Sequence, residues 1–239
     1  MIYKIYPAIL FLFLSFGTDT KNNTEAKEVT VRNIAKVEKP AIDAKIENIY
    51  NTLNTNSFIL PELKTFTEAL KGFYLLKEKG FIQKDILTLV DFSLSSNLKR
   101  LWVIDLSTHT ILFQSLVAHG RNTGEEFASA FSNVSSSFKS SLGFYSTGEI
   151  YQGKHGISLR LDGLEKGIND QARNRGVVMH GADYVSESFI RDHKRLGRSQ
   201  GCPAIPVELT DEIIQAIKGK SCLYIYHPSR SFPMEQLIS

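Results

Sequence analysis

Cysteine is almost missing from this chain: 239 residues contain only Cys202 and Cys222. Two cysteines cannot make a disulfide scaffold, so stability has to come from a buried core, for which 42% hydrophobic residues are sufficient. Basic blocks are missing as well. The 28 Lys and Arg stand against 25 acidic residues, a formal charge of +3, with no run of five or more basic residues, which argues against nucleic acid as a partner. Histidine is present six times, yet no His-x-x-x-His pair occurs on a helical pattern and no carboxylates stand at recognisable ligand spacing. A zinc-dependent peptidase is therefore disfavoured, and the sequence implies neither a metal ion nor a cofactor. There is no internal repeat.

The one continuous apolar run follows Lys4 and extends from Ile5 to Phe16. It is short for a membrane span but suits the hydrophobic region of a signal peptide, with Ser15 and Gly17 as the small residues of a cleavage site. The expectation is export, with residues 1–17 removed after Gly17. If the segment is retained instead, it tethers the same domain to the membrane. No cysteine follows for lipid attachment.

Residues 18–40 are rich in Thr, Asn, Lys and Glu and read as a flexible spacer. Residues 41–84 read as a helical lead-in. Ile42, Ile46 and Ile49-Tyr50 share one helical face, and Leu63, Phe66, Leu70 and Phe73-Tyr74 another, with Gly80 as the stop. From residue 85 the pattern changes to short apolar runs: Ile86–Phe92, Leu101–Leu106, Ile111–Ala118, Gly143–Thr147, Ser158–Leu161, Val177–His180 and Leu223–Tyr226. Turn-rich segments separate them, Asp105–His109 being a hairpin connection, as in an antiparallel sheet protein. One helix is expected near Thr210–Lys218, with Asp211 and Glu212 in its first turn and Gly219 at its end. Residues 229–239 form a tail. The fold class is mainly β with flanking helices (α+β).

Chemistry concentrates in Gly197-Arg198-Ser199-Gln200-Gly201-Cys202-Pro203 and in Met179-His180-Gly181, which ends an apolar run 22 positions upstream of the cysteine. Pro203 has a fixed φ and restricts Cys202, while Gly201 can adopt positive φ. Such a turn can aim a sulfur and neighbouring N–H groups in one direction, making a nucleophile and an oxyanion pocket. A buried, inert cysteine beside an ordinary loop is the alternative. Cys222, in Ser221–Tyr226, reads as a buried strand residue, and a Cys202–Cys222 bridge in an oxidising compartment remains open.

The arrangement His180-Gly181, a spacer, then Ser199-x-Gly201-Cys202 resembles the signature of L,D-transpeptidases of the YkuD type, which cross-link bacterial peptidoglycan through a cysteine acyl-enzyme. Arg100–Asp105, Val117–Asn122, Ser140–Tyr145 and Gly153-Lys154-His155-Gly156 are similar to blocks of a distinct branch of that family. The resemblance covers roughly residues 85–228. Two departures stand out: Gln200 occupies the place of the usual histidine before Gly-Cys, and Pro203-Ala204 follows where an arginine or asparagine is usual. Glutamine does not titrate near neutral pH, so His180 is the only motif histidine able to act as base. The contact to a substrate carboxylate is left to Arg198 or Arg195, whose guanidinium suits it.

The resemblance implies a mixed β-sandwich preceded by a short helical segment, located in the periplasm or cell envelope. Its substrate would be a peptidoglycan stem peptide, and no permanent protein partner is implied. Cys202 would attack the peptide carbonyl, His180 would manage the proton, and D-alanine would leave from a tetrapeptide donor before an amine of a second stem accepts the acyl group. Water as acceptor would make the chain an L,D-carboxypeptidase, and a wall-binding module without activity is the remaining alternative. Gly181 would keep the substrate or turn unobstructed and orient the imidazole through its carbonyl. Ser199 would bond His180 or shape the turn. Tyr151, His155, Gln200 and Arg198 would line the donor groove, although His155 and His119 read more readily as turn histidines satisfied by backbone.

Overall fold

The computed structural model of the protein describes residues 41–154 and 156–230. The expected leader and spacer, His155 and residues 231–239 lie outside the described residues. Among those described, no helix is long and apolar enough to cross a membrane.

Both expected lead-in helices form. The first, α1 (41–51), buries Ile46 and Ile49; the second, α2 (Leu63–Glu78), buries Phe66, Ala69, Leu70, Phe73 and Leu76 along one stripe. A Cβ on Gly72 would strike the Phe144 ring, so the absent side chain lets α2 lie close against the sheet. Gly80, at φ +79°, ends the helix as the sequence predicts.

Eight strands follow: β1 (Ile86–Asp91), β2 (Leu101–Asp105), β3 (Thr110–Ser115), β4 (Gly143–Gly153), β5 (Gly156–Gly163), β6 (Val178–Gly181), β7 (Ala204–Ile205) and β8 (Cys222–Tyr226). Two further helices, α3 (Glu187–His193) and α4 (Val207–Ile217), bracket β7. The strands make one sheet in the order β3-β2-β1-β8-β4-β5-β6-β7. It is mixed rather than antiparallel, because β1 pairs with β8 and β6 with β7 in parallel. Apolar alternation within a strand reports which face is buried and carries no information on the neighbour's direction.

Strand periodicity divides the core in two. On β8, Cys222, Tyr224 and Tyr226 face the cluster built with α1 and α2, while Leu223 and Ile225 join Ile213, Ile214 and Ile217 of α4 on the other side. The two edges of the sheet meet: Ala118, just past β3, forms an antiparallel bridge with Ala204 of β7. That closure brings residues 118–121 alongside the turn that carries Cys202.

The sequence missed α3 and β7. A two-residue strand leaves no periodicity, and α3 buries no side chain, so neither has an apolar signature. α4 starts at Val207, earlier than expected, which moves Asp211 and Glu212 out of its first turn and leaves Glu208 there. β4 extends beyond Thr147 through a register shift before Ile150.

Candidate functional site

The Cys202 turn is held from both sides. On one, Ser199 N–H donates to His119 O at 3.0 Å and Arg121 N–H to Ser199 O at 2.8 Å. On the other, His180 of β6 lies in register with Ala204 of β7, two residues past the cysteine. Gly201 adopts φ +124° as expected, and a Cβ there would meet Lys139 O at 2.9 Å. Its carbonyl accepts from Ser140 Oγ at 3.1 Å, and the same hydroxyl accepts from Gly120 N–H at 3.0 Å. Of the two roles considered for Ser199, the geometry displays turn-shaping: its hydroxyl donates to Cys202 O at 2.7 Å and accepts from Gly201 N–H at 3.0 Å.

The scaffold behind this turn contains His119, which is buried and serves the backbone. Its Nδ1 lies 2.9 Å from Arg100 Nη2 and its Nε2 3.2 Å from Gly124 O. Burial, then the Arg100 charge, push the imidazole down to about 4, so it is neutral at physiological pH and accepts from the guanidinium. Arg100 is itself wholly buried, donates to Val117 O and Leu94 O, and is pushed down to about 9 by burial.

Cys202 opens onto a cleft of about 440 Å³ that His180, Tyr151, Ser199, Gln200 and Arg198 also line. The sulfur accepts from Val178 N–H at 3.5 Å and donates toward Gly176 O at 3.8 Å. Burial pushes the thiol above its ordinary pKa, opposed in part by the Val178 N–H and by the charges of Arg175 and Lys154. Both cysteines are free, so the alternative bridge is not formed. Cys222 is fully buried in the helix-covered core. The thiol is therefore held in its neutral form rather than as a preformed thiolate, and to act as a nucleophile it would need a base.

His180 is buried and its Nδ1 stands 2.8 Å from Gly181 O. With Nδ1–H donating to that carbonyl, Nε2 becomes the basic nitrogen. Gly181 thus supplies the orienting carbonyl, but its missing side chain serves packing rather than substrate access: a Cβ would collide with Thr210 Oγ1 of α4. In the turn itself, the Gly201 N–H is taken by Ser199, whereas the Cys202 N–H donates to none of the described groups.

The arginines proposed for a carboxylate are otherwise engaged. Arg198 borders the cleft, yet its guanidinium pairs with Glu125 and donates to Gly124 O at 3.2 Å and Arg121 O at 3.3 Å. Arg195 pairs with the same Glu125 at 2.9 Å. Arg175 shares the cleft with the sulfur and acts on it electrostatically, as Lys154 does; sequence reasoning passed over it because its partners, Ser132, Lys139 and Ser141, lie far away in the chain. Tyr184 was missed too; it lines the cleft, and burial together with Cys202 pushes its hydroxyl up to about 12. Tyr151 is braced by Arg160, 4.4 Å from its ring centre. Among the described residues, no three His, Cys, Asp or Glu side chains cluster as a metal site.

The fold and this thiol-lined cleft define a curled mixed sheet with a cysteine site at its seam. Residues 60–226 match the model of the L,D-transpeptidase catalytic domain family, and the chain belongs to that family. The matched stretch includes α2. No curated protein matches the chain. Among solved structures, it is similar to an L,D-transpeptidase from Mycobacterium smegmatis, at 11% identity and TM-score 0.38, over 60% of this chain and 59% of that one. It is also similar to the helical cell shape determining protein Pgp2 (K307A mutant) from Campylobacter jejuni, at 15% identity and TM-score 0.42, over 70% and 58%. Against an L,D-transpeptidase from Xylanimonas cellulosilytica the values are 12% and 0.35, over 78% and 93%. The chain thus spans less than two thirds of the first two relatives.

Proposed function

We propose that the protein is a peptidoglycan L,D-transpeptidase acting through a thioester on Cys202. The observation that carries this reading is the shared cleft of Cys202 and His180, with the imidazole anchored through Nδ1 to Gly181 O at 2.8 Å. His180 Nε2 takes the thiol proton as the sulfur attacks the carbonyl of a stem-peptide amide. The Cys202 N–H receives the developing oxyanion. Collapse breaks the C–N bond, the imidazolium returns its proton to the departing amine, and a thioester remains. An amine of a second stem then attacks, and its acyl bond forms as the thiol leaves and is reprotonated. The leaving amine is D-alanine if the donor is a tetrapeptide, as the family resemblance implies. An exported, envelope-located chain suits this substrate and follows from the reading of residues 1–17.

Exposure of the purified protein to a carbapenem under reducing conditions tests the reading. A covalent mass on Cys202, absent from the Cys202→Ala variant, is expected; no adduct overturns it and leaves an inert wall-binding module. Walls digested after incubation then report the acceptor. New cross-links are the expected product, and trimmed stems without them identify water as the acceptor.

A further inference from the structure

The cleft around Cys202 is unbalanced in charge. Among the described residues lining it there are three cations, Lys154, Arg175 and Arg198, and no Asp or Glu. Arg198 is paired from outside with Glu125, a carboxylate that it shares with Arg195. Several arginines elsewhere are also matched: Arg160 and Arg173 share Glu149, Arg195 meets Glu125, and Arg230 meets Glu165. Arg175 has no carboxylate partner and, unlike Arg100, which also has none, it lines the cleft.

Its guanidinium is half-buried, and every hydrogen bond it makes goes to a neutral oxygen: Ser132 O at 2.7 Å, Ser141 Oγ at 2.5 Å, Lys139 O at 2.6 Å and Ser137 Oγ at 3.4 Å. These contacts fix the group in place and leave its positive charge uncompensated. They engage Nη1 and Nη2, so Nε–H remains for a ligand. Arg175 also sits against the nucleophile turn, since a Cβ on Gly201 would be 3.4 Å from Nη2. Lys154, exposed on the rim next to Tyr151, makes no ion pair or hydrogen bond with the described residues and acts electrostatically on the same sulfur. Two uncompensated cations in a cleft without acids favour an anion there.

We infer that Arg175 and Lys154 are the specificity residues of this cleft and select an acyl donor bearing a free peptide carboxylate. The inference rests on the acyl-transfer reading and adds to it which residues choose the donor. It replaces Arg198 and Arg195 in that role, because both are already spent on Glu125.

Binding, measured without turnover, tests it. The full-length Cys202→Ala chain is titrated calorimetrically with a donor tetrapeptide, with its C-terminal amide, and with the same peptide amidated at a side-chain carboxylate. One of the two amides should bind about tenfold or more weakly than the free acid, the scale of a hydrogen bond to a charged group, and which one it is identifies the carboxylate that is read. Arg175→Gln should bring that ratio close to one. Lys154→Gln should lower it by about two- to fivefold, as for a rim charge. Because Arg175 also ties the 132–141 segment, Lys154→Gln provides the arm in which folding is not in question. Equal binding of acid and both amides, or a ratio unmoved in both variants, overturns the inference. A carbapenem adduct on wild-type Cys202 alongside equal binding overturns it while the acyl-transfer reading stands. Acid preference without an adduct supports the carboxylate assignment and removes the reaction.

Discussion

His180 Nδ1 lies 2.8 Å from the carbonyl oxygen of Gly181, its own successor in β6. A strand residue that bonds its neighbour's carbonyl fixes its tautomer without a third side chain, and so no orienting carboxylate is required. In the proposed acyl transfer, the raised thiol pKa of Cys202 would set the load on this imidazole. Even a thiol pKa lowered from about 8.5 to about 6.5 gains only about threefold in net reactivity, after about 25-fold more thiolate is offset by about 8-fold weaker nucleophilicity. Proton transfer has to dominate. His180→Gln should therefore lower kcat/KM for acyl transfer by at least about 100-fold, measured with a stem-peptide donor. Near-normal turnover would remove His180 from the mechanism.

Thiol reactivity offers a second measurement. Burial holds Cys202 in its neutral form, with Arg175 and Lys154 pulling the other way. The pH profile for iodoacetamide modification of Cys202 should inflect above that of a free cysteine, and Lys154→Gln should move it further up. An inflection below the free-cysteine value would mean that the sulfur rests as thiolate and that the imidazole is not needed as base. Cys222, fully buried, should remain unmodified until the protein unfolds.

His119 predicts how the fold responds to acid. Burial and the Arg100 charge push its imidazole down to about 4, below the 6.5 of an imidazole in the unfolded chain, so the unfolded state binds the extra proton first. The contribution is complete above about pH 6.5, is lost progressively down to about pH 4, and is flat below. Its size is about 3 kcal/mol from the 1.36 kcal/mol per unit of linkage. Urea midpoints at pH 7 and pH 4.5 should differ more for the wild type than for His119→Gln. Equal differences would show that His119 is not held neutral.

Much of this architecture is legible in the residues. The two amphipathic stripes of α1 and α2 and seven of the eight strands carry a periodicity that survives into the fold, and Gly201 and Cys202-Pro203 announce their turn through backbone chemistry alone. What stays hidden is what depends on distant pairing. The parallel partnership of β1 with β8 joins segments more than a hundred residues apart, and β7 exists only because β6 and Ala118 flank it. Arg175 is silent for the same reason: a lone arginine before Gly176 gains meaning only when residues 132–141 fold over it. Arg198 shows the converse, since adjacency to the motif suggested a ligand contact that Glu125 already occupies.

Gly181 separates a packing role from a chemical one. Its place beside the base suggests room for substrate, but the atom that a methyl group would strike is Thr210 Oγ1, on the face of α4 turned toward β6, with Val207 Cα at 3.3 Å. Gly181→Ala should push α4 from the strand and destabilise the protein by about 1–3 kcal/mol, the usual cost of overpacking. Thr210→Ala removes the colliding oxygen at the expense of its own bond to Pro206 O at 2.9 Å. The double variant should then recover part of the stability lost by Gly181→Ala, a non-additivity that thermal or urea unfolding of all four proteins would reveal. If instead Gly181→Ala lowers activity and leaves stability unchanged, the glycine is keeping space for the substrate and the packing account is wrong.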